Sequence, residues 1–321
     1  MTKINKTKKK TYKKYTIGVV TVPLSPDKKF FKVCGDSYIA SSHIDWLNKN
    51  NVEVIEIPYN TKRLMHYFKN THGLYLPSGG AFAGTQMTYY NCCKELLDLA
   101  VKENDKGNFY PVWGGCMGFQ QMLIWADGND NVDNFLQDFD SFDDYFTNIQ
   151  FTKEGLRSNI VNGISKKTLN LMQKGNNTLN NHKMGITPYK FARNKKVSKF
   201  FKNVGTSKDR KGREFIAIIE GNNYPFYGVQ WHPERNNQMN ELIQFFCDEL
   251  KRSKKHKFSN KKIKTLKKLF SKKVDCMGYS GNLYKKCDFY WHTKTSSHNK
   301  KLCDAAQLND KENPDGSDRG V

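Results

Sequence analysis

No apolar run in the 321 residues approaches the roughly 20 residues of a membrane-spanning helix. Hydrophobic residues make up only 37% of the chain. The shortfall is made up by base: 53 Lys and Arg stand against 31 Asp and Glu, a formal net charge of +22. None of the eight cysteines (Cys34, Cys92, Cys93, Cys116, Cys247, Cys276, Cys287, Cys303) lies in a C-x-x-C pair. That removes the commonest signature of a zinc ribbon or a dithiol redox site, and at this length they do not read as a disulfide framework. No internal repeat is found. No acidic residue interrupts the stretch from Lys251 to Lys273.

The basic residues concentrate at the two ends. A run from Lys8-Lys9-Lys10 to Lys14 precedes Ile17-Gly18-Val19-Val20-Thr21-Val22. This is similar to the start of a signal peptide. The apolar part is short, however, and Pro23 and Asp27-Lys28-Lys29 follow it without a small-residue cleavage site. We read it as a buried first strand and expect a cytoplasmic protein. The chain is expected to divide into a basic tail (1–14), a main folded domain (15–252), a basic linker or amphipathic helix (253–274) and a Cys/His-containing, partly disordered extension (275–321). Ile263, Leu266, Leu269 and Phe270 are spaced as one helical face within the basic linker. Solvated linker, nucleic-acid contact and an anionic membrane surface all stay open for it. Cys276, Cys287, His292, His298 and Cys303 are irregularly spaced, so no metal site is expected.

The middle of the chain alternates strand and helix patterns. Thr16–Val22, Val52–Ile57, Gly73–Leu76 and Tyr110–Trp113 read as strands. Helical spacing fits Tyr38–Leu47, Leu64–Phe68, Met87–Val101 and Phe119–Trp125. This order predicts an α/β fold, a parallel sheet sandwiched by helices, with ligands bound beyond the carboxyl ends of the strands. The pattern is indistinct from Asp127 to Asn181. Phe215–Ile219 and Tyr227–Gln230 are further strands, Leu242–Leu250 is an amphipathic helix, and the domain is expected to end near Arg252 with a dispensable tail beyond.

Gly114-Gly115-Cys116-Met117-Gly118 stands between a strand and a helix. A sharp strand-to-helix turn needs small neighbours, lifts its central residue out of the sheet, and sets it at a helix N-terminus. Partial positive charge there favours a thiolate, and main-chain N–H groups can hold an oxyanion. Downstream, Gly228-Val229-Gln230-Trp231-His232-Pro233-Glu234 ends a strand with a histidine and a carboxylate two residues later. A cysteine nucleophile needs a base, and the base an orienting group. His232 and Glu234 have those chemistries, and residues two apart in an extended segment face the same way. Taken singly, a buried structural cysteine and a surface His-Pro turn remain alternatives.

Together these segments resemble the class I glutamine amidotransferase superfamily. Tyr38-Ile39-Ala40-Ser41-Ser42, Leu76-Pro77-Ser78-Gly79-Gly80, Asn181-His182-Lys183 and the two motifs above narrow the resemblance to the γ-glutamyl hydrolases, over about Tyr15 to Arg252. The resemblance implies hydrolysis of γ-linked glutamates, notably folylpoly-γ-glutamates, with no cofactor. By position it makes Cys116 the nucleophile, His232 the general base and acid, and Glu234 its orienter. It sets His182 near the substrate and gives oxyanion N–H groups to Gly79 or Gly80 and to Met117. Two positions depart from the pattern: His43 stands where the family usually has a tyrosine near the site, and the loop reads Pro-Ser-Gly-Gly rather than Pro-Gly-Gly. The expected partner is a substrate with γ-linked glutamates, with a homodimer possible in solution. A glutaminase subunit supplying ammonia and a non-catalytic protein retaining the fold are the competing readings.

Overall fold

The computed structural model describes residues 13–23, 37–80, 87–128, 135–270, 277–280 and 284–291. β1 (Lys13–Val20), β2 (Val22–Pro23) and β3 (Ser37–Ala40) precede the helix Ser41–Asn48. β4 (Val52–Ile57) is followed by the short helix Leu64–Lys69, and β5 (Gly73–Leu76) by the long helix Met87–Asp105. β6 (Val112–Gly115) runs directly into the helix Met117–Asp127. Next come β7 (Gln137–Thr147), β8 (Gln150–Phe151) and, after the helix Lys166–Lys174, β9 (Thr178–Gly185). β10 (Phe201–Lys208), β11 (Glu214–Gly221) and β12 (Phe226–Val229) lead to the helix Asn240–Leu250. β13 (Phe258–Ser259), the helix Asn260–Phe270, β14 (Met277–Ser280) and β15 (Tyr284–Trp291) follow.

In the main sheet β4, β1, β5, β6 and β12 lie side by side and parallel. The sheet continues antiparallel through β11, β10 and β8. The switch has a simple cause: the turn of residues 222–225 is too short for a crossover, so β11 and β12 pair as a hairpin. Alternation along each strand feeds two cores. Leu74, Leu76, Val112 and Phe226 join one cluster with the helices Met87–Asp105 and Met117–Asp127. Tyr75, Trp113, Tyr227 and Val229 join the other with Trp46, Leu47, Leu242 and Phe246. The expected parallel sheet between helical layers is therefore present, extended by an antiparallel edge.

The helix Met117–Asp127 lies close to the strands because three positions carry no side chain. A Cβ on Gly118 would stand 2.1 Å from the Leu76 carbonyl oxygen, and one on Gly114 or Gly228 within 2.7 Å of Met122 Cε. Larger residues here would lift the helix off the sheet and move whatever its first turn carries.

Three sequence expectations change. Tyr38–Leu47 is not one helix: Ser37–Ala40 is strand, and the helix starts only at Ser41. The β-branched and aromatic pair Tyr38-Ile39 pairs in register with β2 and β15 instead. The indistinct stretch after Asp127 forms a long irregular ribbon, β7 with β9, whose register shifts twice. Finally, the fold does not end at Arg252. Phe258 and Ser259 pair with Lys14 and Lys13, Ile263 and Leu266 are buried, and the Lys255 ammonium donates to the Thr71 carbonyl. The apolar side of the basic helix is thus used inside the protein. Among the described residues no helix is long and apolar enough to cross a membrane, and no cluster of three or more His, Cys, Asp or Glu could hold a metal ion. Cys34, Cys276, His292, His298 and Cys303 lie outside the described residues, as do the side chains of Cys287, Leu269 and Phe270.

Candidate active site

Cys116 follows the last residue of β6 and caps the helix Met117–Asp127 with φ +45° and ψ −101°. A non-glycine residue in this region stores about 1–3 kcal/mol of strain and persists only where its surroundings hold it. Here they do. The Cys116 N–H donates to the Val229 carbonyl at 2.8 Å, and its carbonyl accepts from the Gln120 N–H at 3.1 Å. Gln120 donates from Nε2 to the Met184 carbonyl (2.8 Å) and to Gln230 Oε1 (3.3 Å). The Gln230 amide nitrogen in turn lies 3.8 Å from the Cys116 sulfur. Gln230 was not singled out as a site residue in the sequence. Its signal was there: it precedes Trp231-His232 at the end of a buried strand.

His232 lies three residues past the end of β12, the parallel neighbour of β6, so imidazole and thiol emerge from adjacent strand ends. Its N–H donates to the Leu179 carbonyl at 2.8 Å. Nδ1 stands 2.8 Å from Glu234 Oε1, the geometry of an N–H donating to a carboxylate. That leaves Nε2 as the nitrogen that faces the Cys116 sulfur. Burial by itself pushes the imidazolium down. The facing Cys116 sulfur and the Glu234 carboxylate overcome this and hold the proton on His232 well above the usual histidine range. Burial raises the Glu234 carboxyl, but His43, His232 and the hydrogen bond from His232 bring it down to about 2. Glu234 approaches His232 because Pro233–Arg235 is a 3-10 turn. The extended His-Pro-Glu segment expected from the sequence is not how the contact is made.

His182 sits in β9, 4% exposed, its ring edge-on to Phe215. Nδ1 lies 3.0 Å from the Met184 carbonyl, which fixes the proton there and leaves Nε2 as an unpartnered acceptor. Burial lowers its pKa to about 3; the Met184 bond opposes that and the charge on His232 adds to it. His182 is therefore a neutral neighbour of His232. Its sequence neighbour Lys183 is exposed, 5.0 Å from the centre of the Phe142 ring.

Gly79 lies against Val22 and Met117: a Cβ there would stand 2.7 Å from Val22 Cγ1 and 3.2 Å from Met117 Cε. The Gly80 N–H bonds to the hydroxyl of Tyr38, which burial pushes up to about 12. His43 is fully buried, with Nδ1 2.8 Å from the Tyr75 hydroxyl and Nε2 2.6 Å from Ser78 Oγ. Its side chain is turned into the protein, toward Tyr75 and Ser78, at the position where the resemblance left a substrate contact in doubt. His43 Nε2 also stands 3.7 Å from Glu234 Oε1. The structure thus brings Cys116, His232, Glu234, His43 and His182 together, with Gly79 beside Met117. Tyr75, Ser78 and Gln230 complete the group and were not singled out as site residues from the sequence.

The family model "Glutamine amidotransferase class-I" matches residues 33–249, about two thirds of the chain. The chain belongs to that class. Within it, the chain is 28% identical to gamma-glutamyl hydrolase B of Dictyostelium discoideum over 266 residues, covering 77% of this chain and 75% of that protein. It is 31% identical to the gamma-glutamyl hydrolase of Homo sapiens over 227 residues, 70% of this chain and 69% of that one. The enzyme of Rattus norvegicus matches at 31% over 203 residues and 62% of its own length. The chain is a member of the gamma-glutamyl hydrolase family.

Proposed function

We propose that this protein hydrolyses γ-glutamyl bonds, folylpoly-γ-glutamates among its substrates, through a thioester on Cys116. The observation that supports this best is the His232–Glu234 contact of 2.8 Å, which turns Nε2 of His232 toward the thiol at the end of the neighbouring strand. In the first half-reaction the Cys116 thiolate attacks the γ-carbonyl carbon. The tetrahedral oxyanion is held by main-chain N–H groups of Met117 and of Gly79 or Gly80. Gly79 is the better placed of the two, since the Gly80 N–H is engaged by Tyr38. The proton on His232 Nε2 passes to the leaving α-amine, and the C–N bond breaks. In the second half-reaction His232 takes a proton from water, hydroxide attacks the thioester carbonyl, and the carboxylic acid leaves as the thiolate reforms. Glu234 keeps the imidazole in one tautomer and orientation throughout.

The test is direct. Purified protein is incubated with folylpentaglutamate and with glutamine, and products are identified by mass spectrometry. Release of glutamate or of γ-linked oligoglutamate from the first substrate supports the reading. Ammonia from glutamine with the polyglutamate intact overturns it in favour of a glutaminase subunit.

A further inference from the structure

His43 and Ser78 are the two positions where the sequence departs from the family pattern, and they touch each other. Ser78 Oγ lies 2.6 Å from His43 Nε2. The same nitrogen is 3.7 Å from Glu234 Oε1, the oxygen that accepts from His232 at 2.8 Å. On the other side of the ring, Nδ1 is 2.8 Å from the Tyr75 hydroxyl. Where the ring proton sits follows from electrostatics. A neutral imidazole has one N–H, and either hydroxyl can donate or accept. With the proton on Nδ1, the lone pair on Nε2 would point at a carboxylate. With the proton on Nε2, a positive N–H end faces Glu234 and donates to Ser78, while Tyr75 donates to Nδ1. The second arrangement satisfies all three groups. Burial keeps the ring neutral: it outweighs the pull of Glu234, and the nearby His232 and Arg235 act in the same direction as burial.

Ser78 stands immediately before Gly79, and Gly79 is already pressed against Val22 and Met117. The loop is therefore held by packing on one side and by His43 on the other. We propose that His43 and Ser78 form a positioning pair, holding the loop of the candidate oxyanion donors and the Glu234 carboxylate in one register. The pair touches no reacting atom. It makes the loop's hold on the substrate carbonyl and Glu234's hold on His232 depend on each other. The proposal rests on the hydrolase reading above only for its effect on turnover.

The test is a double-mutant cycle of His43→Phe, Ser78→Ala and the double variant, with His43→Gln added because Gln keeps an N–H donor for Ser78. Two readouts are taken on protein shown to be folded by circular dichroism. The first is kcat and KM on a γ-glutamyl oligoglutamate. The second needs no substrate: the rate at which iodoacetamide alkylates Cys116 at pH 7, followed by mass spectrometry. Each single variant is expected to lower kcat about tenfold with KM within about twofold, and to slow alkylation. The double variant is expected to be no worse than the worse single one, because groups acting as a unit are not additive. His43→Gln should recover most of the loss. Additive effects, or a folded Ser78→Ala with unchanged kcat and alkylation rate, overturn the pair. If His43→Phe fails to fold, Ser78→Ala decides alone, since it removes only a half-buried hydroxyl. Coupled alkylation rates in a protein with no turnover would sink the hydrolase reading and leave the pair standing.

Discussion

His232 and His182 sit within the same buried site, yet the protein drives them to opposite protonation states. Both rings have one nitrogen fixed by a neighbour two residues on: Nδ1 of His232 on Glu234, Nδ1 of His182 on the Met184 carbonyl. Nε2 of His182 has no hydrogen-bond partner among the described residues, whereas that of His232 faces the Cys116 sulfur. Burial pushes both toward the neutral form. The difference lies in what the fixing group carries. Glu234 is a full negative charge in a buried site and, with the Cys116 sulfur, holds the proton on; a carbonyl dipole cannot, and His182 falls to about 3. Burial alone lowers a histidine's hold on its proton; burial beside a charged partner can raise it.

The largest expected effect breaks the His232 side of this comparison. Cys116→Ala should abolish hydrolysis, with a loss of at least ~10³-fold in kcat. His232→Asn should be nearly as damaging. Glu234→Gln should cost less, because an orienting group tunes a base whereas the base moves the proton. Circular dichroism must report an intact fold in all three. If Glu234→Gln is worse than His232→Asn in steady-state kinetics, the roles are assigned wrongly.

A second effect falls on stability. The chain beyond Arg252 was expected to be dispensable for turnover; in the structure it adds β13 to β1 and buries Ile263 and Leu266, which bears on stability. Burying each such side chain contributes about 1.5–3 kcal/mol. His72 Nε2, 3.3 Å from the His256 carbonyl, and Lys255 on the Thr71 carbonyl add to this. Truncation after Arg252 should therefore lower the melting temperature by several degrees. An unchanged melting temperature would mean the tail contributes nothing to the folded state.

The difference between these regions also explains what could be read in advance. The place of Cys116 at a strand-to-helix turn and the nearness of His232 to Glu234 were legible because such a turn and an H-P-E segment need particular residue types at fixed spacing. The strand order was legible from β-branched runs broken by Pro58 and Pro77. In the tail the helical face of Ile263 and Leu266 was legible from spacing, but not what it packs against, because no local pattern reports the docking partner. His43 was named from the sequence, but its contacts with Tyr75 and Ser78 were obscure for the same reason. They span 32 and 35 positions of sequence, and no local pattern reports such a contact.

A pH titration of stability sharpens the comparison of the two histidines. A buried neutral His182 binds its proton only near pH 3, whereas the unfolded chain binds one near 6.5. The unfolded state thus holds more protons between those values, and stability is lost as pH falls through that window. His72, lowered to about 4 chiefly by burial, adds to the same acid limb. His232 has the opposite sign: its contribution is complete below about 6.5 and is lost as pH rises through its elevated folded pKa. Melting temperatures from pH 4 to 10 should show His182→Gln flattening the acid limb and His232→Gln the alkaline limb. Each flattening is worth roughly 1.4 kcal/mol per pKa unit removed. If the two variants give superimposable profiles, the difference between the sites is not electrostatic.

The smallest expected effect concerns the long-range field. Poly-γ-glutamate carries a carboxylate on every unit, and this chain has a formal net charge of +22. Lys183 is exposed in β9, next in sequence to His182, whereas exposed Lys261, Lys262 and Lys264 lie on the helix Asn260–Phe270. Steering by such charges acts on association and weakens as salt shortens the Debye length, to ~8 Å at physiological ionic strength. kcat/KM for a pentaglutamate should therefore fall with added salt more steeply than for a diglutamate, while kcat changes little. Lys183→Ala should reduce the salt slope if that charge steers. Replacing Lys261, Lys262 and Lys264 together by Ala should do so if the helix does. The two variants divide the effect between the two groups of charge without removing the tail that the fold needs. Equal salt slopes for the two substrates in the unaltered protein would refute steering while leaving the hydrolase assignment untouched.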